Sequence, residues 1–141
     1  MKLIRHSLIA LAVGCLFAGV ASAQDFVGRF TLPCEVQWGT AVLSAGNYTL
    51  EHNSARRSEL VTIRGEKETV MALPASQSFD ASTSGPSALI LARVNGKAVA
   101  RVLVLKELGM EFYYAWPKGE RVVLAEGPVL IQRIPVTTPG R

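Results

Sequence analysis

The sequence predicts an all-β protein: a small antiparallel β-sandwich or barrel of about eight strands, preceded by a signal-peptide helix. No sustained helical periodicity follows residue 24. Short runs rich in Val, Ile, Leu, Thr and Tyr are instead separated by Gly, Pro, Asn and Ser at roughly 8–12-residue intervals, which is typical of all-β domains. The dipeptide Asn95-Gly96 also lies between alternating apolar residues, which is the strongest short-range signal for a β-hairpin.

The first 23 residues have the three parts of a secretory signal peptide. Lys2 and Arg5 form a basic start, an uncharged apolar run extends to Val20, and Ala21-Ser22-Ala23 provides a small-residue cleavage site. The apolar run is shorter than the roughly 18 residues of a membrane-spanning helix. We therefore expect an exported protein, periplasmic or extracellular, that meets the membrane only through the signal peptide before cleavage. A short uncleaved anchor is the alternative.

Composition limits the rest of the chain to one domain. Removal of residues 1–23 leaves 118 residues, enough for one hydrophobic core without a metal or a disulfide. Since Lys2 and Arg5 leave with the signal, 13 basic and 11 acidic residues remain, and the basic ones are scattered. We expect no nucleic-acid partner. The predicted organisation is a signal peptide over residues 1–23, a single β domain over 24–134 and a flexible tail over 135–141.

The strands of the first half follow from alternation and turn residues. Residues 26–32 predict the first strand, and a turn at residues 44–47 leads into a second over residues 48–52. Residues 60–64 and 69–73 flank Gly65-Glu66-Lys67-Glu68, which predicts a hairpin with a four-residue loop. Residues 75–87, rich in Ser, Gly and Pro, form the longest predicted loop and would suit a mobile flap.

The hairpin at Asn95-Gly96 has a predicted register, because Asn-Gly favours a two-residue type I′ turn. Val94 would face Lys97, and Leu89 would face Val102. One face of this hairpin is then almost wholly apolar: Leu89, Leu91, Ala98, Ala100, Val102 and Val104. We expect that face to be the core side, so a polar residue at Val102 should cost far more than one at Lys97.

The last part of the chain predicts two further strand segments. Residues 110–116 alternate, which places Phe112, Tyr114 and Trp116 on a core face and directs Tyr113 the other way. A turn at residues 117–120 and a return strand at 121–126 would make a hairpin. Residues 129–134 predict the last strand, and we expect residues 135–141 to fray.

Candidate ligand or partner contacts are few: Tyr113, Cys34 and His52. Cys34 is the single cysteine after the signal, so it is either a buried apolar thiol or available for a disulfide with a partner. His52 is the single histidine there, and its neighbour Glu51 would point to the opposite face of a strand. Tyr113 is the aromatic residue predicted to face away from the core.

Motifs for chemistry are absent from the sequence. There is no G-x-S-x-G elbow, no calcium loop and no glycine-rich phosphate loop, and one His with one Cys falls short of a zinc site. We therefore expect no cofactor, no metal and no catalytic residue that spacing can reveal. A Cys34–His52 thiolate pair would require the fold to bring the two together.

The segment Leu43-Ser44-Ala45-Gly46-Asn47-Tyr48-Thr49-Leu50 resembles the "L-P-A-G-x-Y-x-L/V" stretch of small exported β-rich proteins of uncharacterised function from soil bacteria. As in that family, it follows a strand with Phe26 and Phe30 and precedes an "L-x-I-R" strand and a late aromatic strand. Ser44 replaces the usual proline. The resemblance implies export and a β fold, and it supplies no catalytic residue.

Together these observations predict an exported β-domain that is a non-enzymatic binding or structural module of the cell envelope or exterior. The alternative is a carbohydrate-active or other hydrolytic enzyme, or its accessory, with a site built from dispersed residues. A third hypothesis is covalent partnering through Cys34.

Overall fold

The computed structural model of the chain describes residues 25–54, 59–79, 85–118 and 129–140. The predicted signal peptide, its cleavage site and the predicted return strand at 121–126 therefore lie outside the described residues. Eleven strands and one 3₁₀ turn (Lys106–Leu108) occur within them. The strands are β1 (Asp25–Leu32), β2 (Val36–Trp38), β3 (Ala41–Leu43), β4 (Gly46–Asn53), β5 (Val61–Arg64), β6 (Thr69–Ala72), β7 (Ser76–Ser78), β8 (Ala88–Val94), β9 (Lys97–Leu105), β10 (Met110–Tyr113) and β11 (Leu130–Pro135).

The strands form two sheets, one of which curls into a half-barrel, so the predicted all-β class is confirmed. Sheet A has the order β1-β4-β5-β6. Sheet B has the order β11-β8-β9-β10-β7, with β2 paired to both β3 and β9. Nearly all pairs are antiparallel; β2 with β9 is parallel. Strand β7 lies within the segment predicted as a long loop, where it pairs with β10.

Sheet A is built from strict alternation in β1 and β4. Phe26, Phe30 and Leu32 point inward, while the residues between them face solvent or are glycine. In the paired strand β4, Tyr48 lies opposite Phe30 and Leu50 lies opposite Gly28, and both are buried. This is the pattern of an antiparallel sheet with one face on the core and the other in water.

The residues that carry the family resemblance have structural roles. Gly46 begins β4 with a φ angle of 152°, a backbone conformation that residues other than glycine rarely adopt. The Tyr48 hydroxyl donates a hydrogen bond of 2.8 Å to the carbonyl of Ser44, which ties the turn to the strand. The Tyr48 ring lies over Gly65, where an added Cβ would stand 2.6 Å from its Cε1 atom. Burial and a hydrogen bond to Glu68 raise the pKa of Tyr48.

The hairpin of β8 and β9 turns at Asn95-Gly96 as predicted, with both residues at positive φ and Val94 opposite Lys97. Its predicted register fails farther from the turn. A bulge shifts the pairing between Ile90 and Leu91, so Leu89 faces Leu103 and not Val102. A β-bulge adds one residue to one strand. The residues of that strand beyond the bulge therefore point to the face opposite to the one that simple alternation predicts.

The bulge also corrects the predicted core face. Leu103 and Leu105 belong to the core cluster, whereas Val102 is half-buried on the opposite side. Val104 is buried but lies outside that cluster. Sheet B therefore presents apolar residues on both faces, which a two-residue alternation rule does not anticipate.

Strand β10 places Phe112 in the core, as predicted, and Tyr114 just after the strand is also buried. Trp116, predicted on the same face, is only half-buried. Its ring is covered by the guanidinium of Arg101, 4.2 Å from the ring centroid. Arg101 also donates a hydrogen bond to the Tyr114 carbonyl. Burial lowers the pKa of Arg101.

The chain after β11 crosses from sheet B to the edge of sheet A. Thr137 and Arg29 exchange two backbone hydrogen bonds of 2.7 and 2.8 Å, and the Val136 N–H donates to the Ser87 carbonyl. Val136 is buried in the core cluster. Residues 135–137, the start of the segment predicted to fray, thus join the two sheets, and the flexibility of the tail stays a prediction.

Close contact between β1 and Val136 predicts a destabilising effect of Gly28→Ala. A Cβ at residue 28 would lie 2.5 Å from Val136 Cγ1 and 2.8 Å from Phe26 Cε1. Overpacking of this kind costs about 1–3 kcal/mol, which urea denaturation measures. Gly140→Ala is the matched control, because its Cβ would meet nothing within 4 Å. Equal stability of the two variants would contradict the close packing of β1 against Val136.

Candidate functional site

A groove of about 750 Å³ opens where the edge of β1 and strand β11 diverge, and we call it the seam groove. Strand β11 pairs with β8, and the Arg29–Thr137 bridge then joins the chain just after β11 to β1. The groove has a polar lining: Arg29, Thr31, Asn47, Thr49, Gln132 and Thr137. Its apolar lining is Phe30, Pro33, Tyr48, Ile134 and Pro135.

The polar lining comes mainly from the outer face of sheet A. Arg29 pairs with Thr49 and Thr31 pairs with Asn47 in the β1–β4 register, so their side chains project on one face. The Thr31 hydroxyl donates a hydrogen bond of 2.7 Å to Asn47 Oδ1. This bond uses the amide oxygen and directs the two N–H donors of Asn47 elsewhere.

Arg29 is the one charged residue among the described residues that line the seam groove. Its side chain is exposed, and within the described part of the chain its guanidinium makes no hydrogen bond or ion pair. Arg64 provides a contrast on the same face of sheet A. Its Nη2 atom lies 3.7 Å from Glu51 Oε2, so an acid already balances its charge.

The backbone of Thr31 adds a donor and an acceptor to the groove. Because Arg29 directs its N–H and C=O groups away from β4 toward Thr137, alternation directs those of Thr31 to the same edge. The described residues supply no backbone partner for Thr31 at this edge.

His52 is a core residue in the structure. Its side chain is 3% exposed, and its ring packs edge-on against Phe112 with 5.0 Å between centroids. Nδ1 lies 3.3 Å from the Leu60 carbonyl. His52 also borders a second groove, of about 390 Å³, at the end of sheet A.

Cys34 follows β1 and is half-buried against the core cluster. Arg93 Nη2 lies 3.3 Å from its Sγ atom. No described contact joins Cys34 to His52, so the structure does not bring this pair together. The Cys34 disulfide remains a prediction.

Tyr113 faces away from the core, as predicted, with 38% of its surface exposed. Its hydroxyl donates a hydrogen bond of 2.5 Å to Glu111 Oε2. This bond is the main cause of the raised pKa of Tyr113, and burial is the second. His52 packs on Phe112, at the inner face of sheet B, so it and Tyr113 lie on opposite sides of that sheet. The three candidates predicted from sequence therefore do not form one site.

Sequence reasoning missed Arg29, Asn47 and Gln132 as functional candidates. Alternation in β1 and β4 places Arg29 and Asn47 on a solvent face, and this part was readable from the sequence. Their approach to Gln132 depends on the crossing of the chain from sheet B to sheet A after β11, which no local pattern specifies.

Among the residues described here, no group of three or more His, Cys, Asp or Glu side chains is placed to hold a metal ion. None of the helical segments in the described ranges is long and apolar enough to cross a membrane. Comparisons with protein-family models, curated proteins and solved structures found no match to the chain. The resemblance to the soil-bacterial family therefore depends on the sequence motifs alone.

Proposed function

We propose that this chain is an exported, non-enzymatic binding module that attaches to material of the cell envelope or exterior through the seam groove. The observation that carries the proposal is the donor-rich lining of that groove, where the exposed Arg29 guanidinium has no acidic partner among the described residues. The signal-like residues 1–23 support export.

A strand-borne site suits a binding module. Arg29, Asn47 and Thr49 are fixed on two paired strands, which hold side chains more rigidly than loops do. The groove is an open surface feature, which suits a ligand that continues beyond it on both sides. Its lining, as far as the described ranges show it, includes no carboxylate, so it lends no support to the alternative of a hydrolase with paired acids.

Export and attachment are tested together by expressing the full-length chain in a bacterial host. We expect the recovered protein to begin at Gln24 by intact mass and to cosediment with isolated envelope material. An Asn47→Ala, Gln132→Ala double variant should stay in the supernatant, because it loses two amide side chains of the groove. Retention of residues 1–23 would contradict export, and equal sedimentation of the variant would contradict attachment through the groove.

A further inference from the structure

We infer that the seam groove binds an acidic polysaccharide, a sugar polymer that bears carboxylates, with Arg29 as the carboxylate-binding residue. The inference deepens the proposed function and rests on it for the choice of site. It specifies the ligand class from four properties of the groove: its charge, the burial of its aromatic rings, the end of the β1 edge and its openness.

The positive charge of the groove lining favours an anionic ligand. Among the described residues, the polar lining of the groove consists of one guanidinium with amide and hydroxyl groups and contains no acid. A guanidinium offers a planar fork of N–H donors that matches a carboxylate in two parallel hydrogen bonds. The amides of Asn47 and Gln132 and the hydroxyl of Thr49 both donate and accept, as sugar hydroxyls require.

Burial of the aromatic rings argues against a neutral sugar as the ligand. Proteins often hold neutral sugars by stacking them on exposed ring faces, but the two rings at this groove belong to the core. Phe30 is 4% exposed and Tyr48 is 6% exposed, and they stack on each other with 5.7 Å between centroids. Binding energy must then come from hydrogen bonds and charge.

The short free edge of β1 argues against a peptide that adds as a strand. Strand addition requires successive backbone pairs along an edge. At the groove, Thr31 is the last β1 residue whose backbone points to the edge, since the strand ends at Leu32 and Pro33 has no N–H. One residue can pair there, which is too few to hold a strand.

Openness argues for a polymer and not a small anion. Sites for small molecules usually enclose most of the ligand surface. The seam groove is instead an open surface cleft, which can hold a few units of a longer sugar chain while the rest of the chain stays in solvent. Contact with several sugar units would compensate for weak binding of each.

The test measures binding of the protein, recovered from expression of the full-length chain, to polygalacturonate, dextran and polyglutamate. Dextran controls for sugar without charge, and polyglutamate controls for charge without sugar. We expect polygalacturonate to bind at least tenfold more tightly than either. We also expect Arg29→Gln to weaken this binding roughly tenfold or more, the usual loss when a charge-assisted hydrogen bond is removed.

Arg64→Gln is the matched control, because Arg64 lies on the same sheet face but outside the groove, paired with Glu51. It should change binding less than twofold, and both variants should unfold at the wild-type urea midpoint. Equal binding of polyglutamate or dextran, equal loss in both variants, or no polygalacturonate binding would overturn the inference. If the protein still cosediments with envelope material through Asn47 and Gln132, the proposed function survives that failure.

Discussion

Leu103→Ala is expected to lower the free energy of unfolding by about 2–5 kcal/mol. Leu103 is fully buried in the core cluster, and loss of its side chain leaves a cavity between the sheets. Val102→Ala should cost only about 1 kcal/mol, because Val102 is half-buried and lies on the other side of sheet B. Urea denaturation of the two variants measures the difference.

This pair of variants tests the bulge in the β8–β9 hairpin directly. Without the shift between Ile90 and Leu91, the turn at Asn95-Gly96 would direct Val102 inward and Leu103 outward. A larger loss for Val102→Ala than for Leu103→Ala would therefore show that the simple hairpin register continues to the end of β9, and it would contradict the packing described above.

Tyr114→Phe is expected to leave the protein as stable as the wild type, or more stable, near neutral pH. The Tyr114 hydroxyl is buried, and neither it nor Trp38 Nε1 meets a hydrogen-bond partner in the described ranges. A buried hydroxyl without a partner costs about 1–3 kcal/mol, so its removal carries little penalty. The two rings pack edge-on with 5.3 Å between centroids, and Phe keeps that contact.

The same substitution should reduce the loss of stability in alkali. Burial raises the pKa of Tyr114 well above its usual value. Above a pH of about 10 the unfolded chain releases this proton while the folded chain keeps it, so stability falls by about 1.4 kcal/mol per pH unit. Tyr114→Phe lacks this contribution.

Urea denaturation between pH 9 and pH 11 gives the slopes to compare. The variant should retain a smaller slope, because Tyr48 and Tyr113 also have raised pKa values. Tyr113→Phe is the control, since the Tyr113 ring is exposed and its loss should change the slope less. Identical slopes for wild type and Tyr114→Phe would show that the Tyr114 phenol titrates in contact with solvent.

Local sequence signals predicted the elements of this fold well. Alternation located β1, β4 and β11, and turn chemistry located the β5–β6 hairpin and the turn at Asn95-Gly96. These features depend on neighbours in sequence, so they are readable from it. The short strands β2, β3 and β7 were not anticipated, because three residues carry too little pattern.

Features that depend on distant contacts were not readable. The bulge in the β8–β9 hairpin lies away from the turn, between Ile90 and Leu91, where the Asn95-Gly96 signal does not specify the pairing. Likewise, the seam groove exists because Thr137 bonds to Arg29, 108 positions away in the sequence. The residues chosen from sequence for their rarity, His52 and Cys34, pack on the core, and the groove uses common polar residues instead.

The most direct test of the account is a map of ligand contacts on the folded protein. Backbone amide signals of ¹⁵N-labelled protein would be followed by NMR during titration with galacturonate oligomers. We expect the largest shifts to cluster at Arg29, Thr31, Asn47 and Gln132. Shifts centred on Tyr113, or on the second groove beside His52, would contradict the seam groove as the binding site.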